Sequence, residues 1–254
     1  MIKFFRKIRH NLLTENKFSK YLLYAIGEIV LVVIGILIAL QINNWNESRK
    51  DRIEEKETLK NLTSDLESAL LQLNVKIRQN RTFFVADSIL LDVISHERQL
   101  PKDSLEKLIL GHLITPTFNP EMGNLNEIIS SGKLNLIKND SLRNHISSWN
   151  KSMDELGETN EKLIHYDKFV KYPLYASEIP VRNVFSTVYK SFEKLQFSRS
   201  RFDWNPENLL DNLEFENMLS IYILHSSVQT SRHLLVKNRI NEMLVLIDKE
   251  LNSD

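Results

Sequence analysis

The sequence predicts an all-α protein, with one N-terminal transmembrane helix followed by an extracytoplasmic antiparallel helical bundle. The first observation is an apolar run of 22 residues, 21–42, close to the N-terminus. The second is that every glycine and proline outside this run lies within residues 101–206, so long stretches on either side lack helix breakers. The third is that apolar residues recur every three or four positions in those stretches, as they do in helices that pack on one another.

A basic tail, residues 1–20, precedes the apolar run and holds six Lys or Arg and one acid. The run itself contains no proline, and as a helix it would extend for about 33 Å. That length matches a hydrocarbon core of about 30 Å, so we expect residues 21–42 to cross the membrane once. A cleaved signal peptide is the weaker alternative, because the run is long and Ala39-Leu40-Gln41 is not a small-x-small cleavage site.

The charges that flank the run predict its orientation. The tail is strongly basic, whereas residues 43–60 hold five bases among five acids. The positive-inside rule therefore places the N-terminus in the cytoplasm and the C-terminal domain outside it.

One face of the predicted transmembrane helix differs from the rest. At 100° per residue Glu28, Gly35, Ala39 and Ile42 project on the same side. The pair Gly35-x-x-x-Ala39 lets two helices approach closely, and a carboxyl beside it can bond across the contact. These residues predict that the face docks on a second copy of the chain or on another membrane protein.

Two other interpretations of this face stay open. Glu28 costs on the order of 2–3 kcal/mol near the middle of a span if ionised, so it is either neutral or extended towards the interface, with Gly35 an ordinary membrane glycine. A proton relay is the other interpretation, although the run contains no Lys, Arg or His and no second Asp or Glu.

The first helix is expected to leave the membrane as a solvated stalk, residues 43–58, with opposite charges at helical spacing in Lys50/Glu54 and Arg52/Glu55. The bundle, residues 59–254, then begins with an apolar stripe, and this helix continues to about His96. The stripe comprises Leu59, Leu62, Leu66, Ala69 or Leu70, Leu73, Ile77 and Phe84.

Shorter elements are predicted between the two long helices. A short helix capped by Asp103 ends near Gly111, and another reaches Ser131 with Gly132 as its left-handed terminal residue. The remaining predictions are a long helix capped by Asn139 or Asp140 and running to about Tyr172, a break over 173–183, a helix over 184–197, a loop over 199–206 and a last helix from about Leu209 to Leu251.

A polar segment interrupts the apolar pattern of the last helix. Ser226, Gln229 and His233 fall where the flanking Tyr222 and Val236 predict core. They are either a polar layer or small ligand site inside the bundle, with Arg232 holding an anion, or a local change of face. In the second interpretation, which we favour, Leu224, Val228 and Leu235 pack into the core instead.

The chain offers no familiar catalytic or cofactor-binding pattern. It contains no cysteine, its few glycines form no phosphate-binding loop, and no two histidines lie three or four residues apart. Residues 43–254 hold 31 acids and 27 bases, a balance unsuited to nucleic acid. We therefore expect no enzyme activity, no cofactor and no metal.

Two segments resemble a known family. Residues 27–47, GEIVLVVIGILIALQINNWNE, preceded by FFRKIRHNLL at residues 4–13, resemble the N-terminus of an uncharacterised family of single-pass membrane proteins from Bacteroidota that is catalogued as a domain of unknown function. SSGKLNLI, residues 130–137, is similar to a segment that recurs there. The resemblance implies an inner-membrane protein with a helical domain in the periplasm, and it implies no activity.

Two functions remain for such a protein. The first is non-enzymatic interaction or assembly in the membrane, as a homo-oligomer or with a membrane partner. The alternative is a periplasmic ligand sensor. Because only about twenty residues would face the cytoplasm, a sensor would have to signal through a partner.

Overall fold

The computed structural model describes residues 18–113, 115–184 and 198–253, which are helical and contain no strand. This confirms the all-α prediction. The basic tail lies almost wholly outside these ranges, as does nearly all of the helix predicted over 184–197. The chain divides into two compact units, residues 1–57 and residues 58–254.

Seven α-helices occur within the described ranges, and short turns connect several of them. They are α1 (Phe18–Ile94), α2 (Lys102–Leu110), α3 (Gly123–Ser131), α4 (Asp140–Ser147), α5 (Trp149–Tyr166), α6 (Tyr172–Glu178) and α7 (Leu213–Asn252). Turns of 3₁₀-helix cover Gly111–Leu113, Lys133–Leu136 and Pro206–Leu209, and a π-helical turn covers Asp167–Lys171.

Helix α1 contains the predicted transmembrane segment. By length and composition it is the one helix in the described residues that is apolar enough to cross a membrane, and none of its most apolar window is buried. The helix continues without a break through the predicted stalk, where Arg52 Nη1 lies 2.7 Å from Glu55 Oε2. The i,i+3 charge pairing expected there is therefore present.

The described residues of the second unit form two apolar clusters. The first combines the leucine stripe of α1 with α3, α4, the start of α5 and the second half of α7. The second combines the end of α1 with α2, α6, the end of α5 and the first half of α7. Helices α1, α5 and α7 therefore contribute to both clusters.

The apolar stripe of α1 is confirmed from Leu59 to Leu73, where its members are at most 2% exposed. The prediction for Phe84 is wrong, because its side chain is 39% exposed. Two polar residues, Asn80 and Asp87, are buried on this part of the helix instead.

Local signals predicted some helix ends correctly. Gly132 ends α3 with φ of 80°, and Asn139 caps α4 by accepting a hydrogen bond from the Leu142 amide at 3.0 Å. The predicted Asp103 cap is wrong, since α2 begins at Lys102, the residue before Asp103, so Asp103 lies inside the first turn. The last helix begins at Leu213 because Asn212 accepts hydrogen bonds from two amides of its first turn.

The long helix predicted from Asn139 to Tyr172 is interrupted at Ser148. The Ser148 hydroxyl donates to the Asn144 carbonyl at 2.7 Å, and the Ser148 carbonyl accepts from Arg239 Nη1 at 3.0 Å. The same carbonyl also accepts from the Ser152 amide at 3.3 Å, and α5 begins directly after this residue, at Trp149.

The break predicted at Pro173 is also wrong. Proline lacks an amide donor and normally disrupts a helix interior. Here the π-helical turn ends at Lys171, so Pro173 stands in the first turn of α6, where its missing amide costs no hydrogen bond. The helical path ends at Glu178, just before Pro180.

The apolar stripe of α1 supplies a direct test of the core. Leu66→Ala should lower the free energy of unfolding by about 2–5 kcal/mol, because Leu66 is fully buried and its loss leaves a cavity. Leu71→Ala is the matched control on the same helix. Leu71 is 70% exposed, so its truncation should change stability by less than about 0.5 kcal/mol. Chemical denaturation of the detergent-solubilised chain, followed by circular dichroism, compares the two; equal losses would contradict the assigned stripe.

Candidate functional site

Three consecutive core positions of α7 are polar. Ser226, Gln229 and His233 are 6%, 1% and 0% exposed, and they continue the spacing of alternating threes and fours that runs along the buried side of the helix. Leu224, Val228 and Leu235 are 44–62% exposed, so the favoured interpretation, in which they replaced the polar residues in the core, is wrong.

Gln229 is bonded to three other parts of the chain. Its Oε1 accepts from Asn80 Nδ2 at 2.8 Å, and its Nε2 donates to Asn160 Oδ1 at 2.7 Å and to the Pro116 carbonyl at 3.2 Å. We call Asn80, Asn160, Gln229 and His233 the amide network. It joins α1, α5, α7 and the loop that follows α2, at the level where the first apolar cluster gives way to the second.

His233 forms the edge of the amide network. Its Nδ1 lies 3.4 Å from Asn80 Nδ2, and its ring meets the Phe118 ring edge-on with centroids 6.1 Å apart. Among the described residues its buried Nε2 has no hydrogen-bond partner. Burial, helped by the charge of Lys76, lowers the pKa of His233 to about 4, so the ring is neutral at neutral pH.

The structure does not bring Arg232 into this network. Its side chain is 42% exposed and its Nη1 lies 2.9 Å from Glu155 Oε2 on α5. The positive charge that was expected to hold an anion is therefore met by a surface carboxylate of the chain itself.

A second buried polar group, the charged network of Asp167, Lys171 and Thr115, adjoins the second apolar cluster. Lys171 Nζ lies 2.6 Å from Asp167 Oδ1, and both side chains are almost fully buried. The Thr115 hydroxyl accepts from Lys171 Nζ at 3.3 Å and donates to Asp167. Burial lowers the pKa of Lys171, while the charges of Asp167 and then Asp87 oppose that shift.

Two aromatic rings near Lys171 favour its positive charge. Lys171 Nζ lies 4.8 Å from the centroid of the Tyr222 ring and 5.3 Å from that of Tyr172, distances at which a ring face attracts an ammonium group. Tyr175 donates its hydroxyl to the Ile109 carbonyl at 3.0 Å. Burial raises its pKa, and the nearby charges of Asp87 and Asp167 add to the effect, so this phenol stays protonated.

Sequence reasoning missed the buried polar residues outside α7. The burial of Asn80 and Asp87 could have been predicted, because these residues continue the three-and-four spacing of the α1 stripe beyond Leu73. Asp167 and Lys171 also continue this spacing after the buried Leu163, at steps of four residues. Charged side chains are rarely buried, so the spacing alone did not predict that this pair lies in the core.

The structure places the four residues of the predicted membrane face on α1, where Gly35, Ala39 and Ile42 are exposed and Glu28 is partly exposed. A Cβ built on Gly35 meets no atom within 4 Å, and the same holds for Gly27. No described residue therefore fills the space beside these glycines. The described ranges also contain no cluster of three His, Asp or Glu side chains able to hold a metal.

The depressed pKa of His233 predicts a pH-dependent stability. Between about pH 6.5 and pH 4 His233 is protonated in the unfolded chain and neutral in the folded chain. The stability that this group contributes at neutral pH is therefore lost as the pH falls through this window. The loss between about pH 7.5 and pH 5 should be roughly 2 kcal/mol. His233→Leu should remove that part of the pH dependence, measured by denaturant titration at each pH.

The matched control is His96→Asn. His96 is exposed and has φ of 59°, a backbone conformation that asparagine adopts readily. This variant should keep the pH dependence of the parent chain. A profile that His233→Leu leaves unchanged would show that the buried imidazole is not the group responsible.

Comparison with known proteins gives one match. A model of a family of unknown function, DUF6090, matches residues 28–227. No curated protein matches the chain, and no solved structure does. The match includes most of the predicted transmembrane helix and the charged network, and it ends two residues before Gln229. Because it extends over more than half of the sequence, the chain belongs to the DUF6090 family.

Proposed function

We propose that this protein is a single-pass protein of the inner, cytoplasmic membrane that works by interaction or assembly and catalyses no reaction. Its N-terminus lies in the cytoplasm, and its C-terminal domain, an antiparallel helical bundle, lies in the periplasm. Its partner in the membrane is a second copy of the chain. The observation that supports this proposal is the open space beside Gly35 on the exposed apolar part of α1.

The contact between two copies would use the span face, which is Glu28, Gly35, Ala39 and Ile42. Because the Cβ built at Gly35 meets nothing, a second backbone can approach there without displacing any side chain of the described chain. A symmetric dimer brings the same face of each copy together, so the two copies of Glu28 lie beside the contact, where a polar group can hydrogen-bond across it.

The basic tail supports the proposed orientation. Six Lys or Arg against one acid precede the span, and no comparable excess of bases follows it. The lipid bilayer is then the first partner of the chain, and nucleic acid is not a partner.

A periplasmic ligand sensor is the second candidate, and the buried polar groups favour it. The amide and charged networks bury side chains at positions where leucine would give a more stable core, which is a cost that function can explain. A sensor would differ from an assembly protein in one measurable respect, since a bound ligand would change the extent of pairing between spans.

Disulfide cross-linking can test the pairing, because the chain has no cysteine and each variant would carry a single thiol. Ile42→Cys on the span face should form a disulfide-linked dimer in native membranes after mild oxidation. Leu37→Cys, which projects almost opposite at 100° per residue, should form much less. The dimer band on a non-reducing gel is the measurement. Equal yields at the two positions, or a cross-link to another protein only, would contradict a homodimer through this face.

Glycine substitutions supply the second arm of that experiment. In the Ile42→Cys background, Gly35→Leu should reduce the dimer yield by about tenfold or more, because the added side chain separates the backbones. Gly27→Leu is the matched control. Its Cβ is equally unobstructed in the chain, but Gly27 points about 90° away from the span face, so this variant should cross-link as the parent does.

The orientation can be tested with two other single-cysteine variants. Ser253 is exposed near the C-terminus, and Ser253→Cys should react with a membrane-impermeant maleimide in intact spheroplasts. Lys3→Cys, in the basic tail, should react only after lysis. Mass spectrometry of the labelled chain reads both, and the reverse pattern would place the domain in the cytoplasm.

A further inference from the structure

A cleft of about 300 Å³ opens on the second unit, where α5 passes the loop before α3. Its lining includes Asn119, Asn126, Asn150, Asn160 and Gly157, together with apolar side chains such as Trp149 and Met153. A volume of this order is at the lower end of the range for small-molecule sites, and it accommodates one or two sugar rings.

The cleft is uncharged, although 26% of the chain is Asp, Glu, Lys or Arg. None of the described residues that line it carries a charge. A charged ligand would lose hydration there without gaining a counter-charge, so the lining favours an uncharged one. The four asparagines offer both donors and acceptors, which a purely apolar ligand would leave unused.

Asn160 connects the cleft to the buried amide network. Its side chain is 8% exposed, and its Oδ1 accepts from Gln229 Nε2 at 2.7 Å. That bond fixes the orientation of the amide and leaves its Nδ2 as the donor. An oriented amide donor in the lining of a cleft suits a ligand oxygen.

Gly157 lies one helical turn before Asn160, in the interior of α5. Glycine is among the least favourable residues for a helix interior. Nothing in the described part of the fold requires it here, because the backbone does not have a positive φ and an added Cβ would meet no described atom within 4 Å. The missing side chain exposes the backbone on the wall of the cleft, where another molecule can approach it closely.

We propose that this cleft binds an uncharged carbohydrate of one or two sugar rings. A sugar has hydroxyl groups around its edge and an apolar face of C–H groups, and the cleft combines amides with apolar side chains in the same way. The site lies entirely within the second unit. Binding there does not depend on pairing between spans, so either proposal can fail without the other.

Titration of the full-length chain in lipid nanodiscs, followed by calorimetry, tests this proposal. The probes are N-acetylglucosamine and its dimer, cellobiose and glucose, with glucosamine and glucuronate as charged counterparts. At least one neutral probe should bind at a concentration up to about 10 mM, and its charged counterpart should bind at least about tenfold more weakly. Absence of binding by every neutral probe, or equal binding of neutral and charged probes, would overturn the proposal.

Substitution at Gly157 then assigns binding to the cleft. Gly157→Leu fills the space and suits the helix, so it should weaken binding by about tenfold or more without lowering the melting temperature. The matched control is Gly111→Leu, since Gly111 is equally unobstructed, has a helical φ of −66° and lies outside the cleft. It should bind as the parent does. Unchanged binding by Gly157→Leu would place the sugar elsewhere and refute the assignment.

Discussion

The amide of Gln229 holds three separate parts of the second unit in one alignment. It bonds to Asn80 on α1, to Asn160 on α5 and to the Pro116 carbonyl in a loop. A shift of either helix by one turn would leave buried amides unbonded, at a cost of about 1–3 kcal/mol for each group. The network therefore selects one alignment of three helices, whereas stripes of leucine alone would tolerate several.

The two apolar clusters and the polar groups between them have different consequences for the fold. The clusters supply the stability, because they remove large side chains from water on both sides of the amide network. The buried pair of Asp167 and Lys171 adds little, since desolvation offsets the attraction between their charges. These polar groups instead favour a single arrangement of the α2–α3 loop, α7 and the turn that follows α5, because their hydrogen bonds form only there.

The sequence predicts those features whose causes are local. Helical spacing identifies the buried leucines of α1, Gly132 supplies the left-handed end of α3, and Asn139 caps the helix that it precedes. It does not predict the interruption at Ser148, where the carbonyl also accepts from Arg239, a residue distant in sequence. The burial of the polar residues of α7 also depends on hydrogen-bond partners that are distant in sequence, Asn80 and Asn160. The spacing within α7 alone had favoured their exposure.

At two places along helix α1 a polar side chain stands among apolar ones. Glu28 lies in the segment proposed to cross the membrane, and Asn80 lies in the core of the second unit. Neither lipid nor a protein core offers water, so a polar group in either medium favours the few arrangements that bond it. In the core, the bond between Asn80 and Gln229 fixes which helices meet and at which residues. The proposed pairing of two spans applies the same rule to the membrane, with Gly35 providing the close approach that such a bond requires.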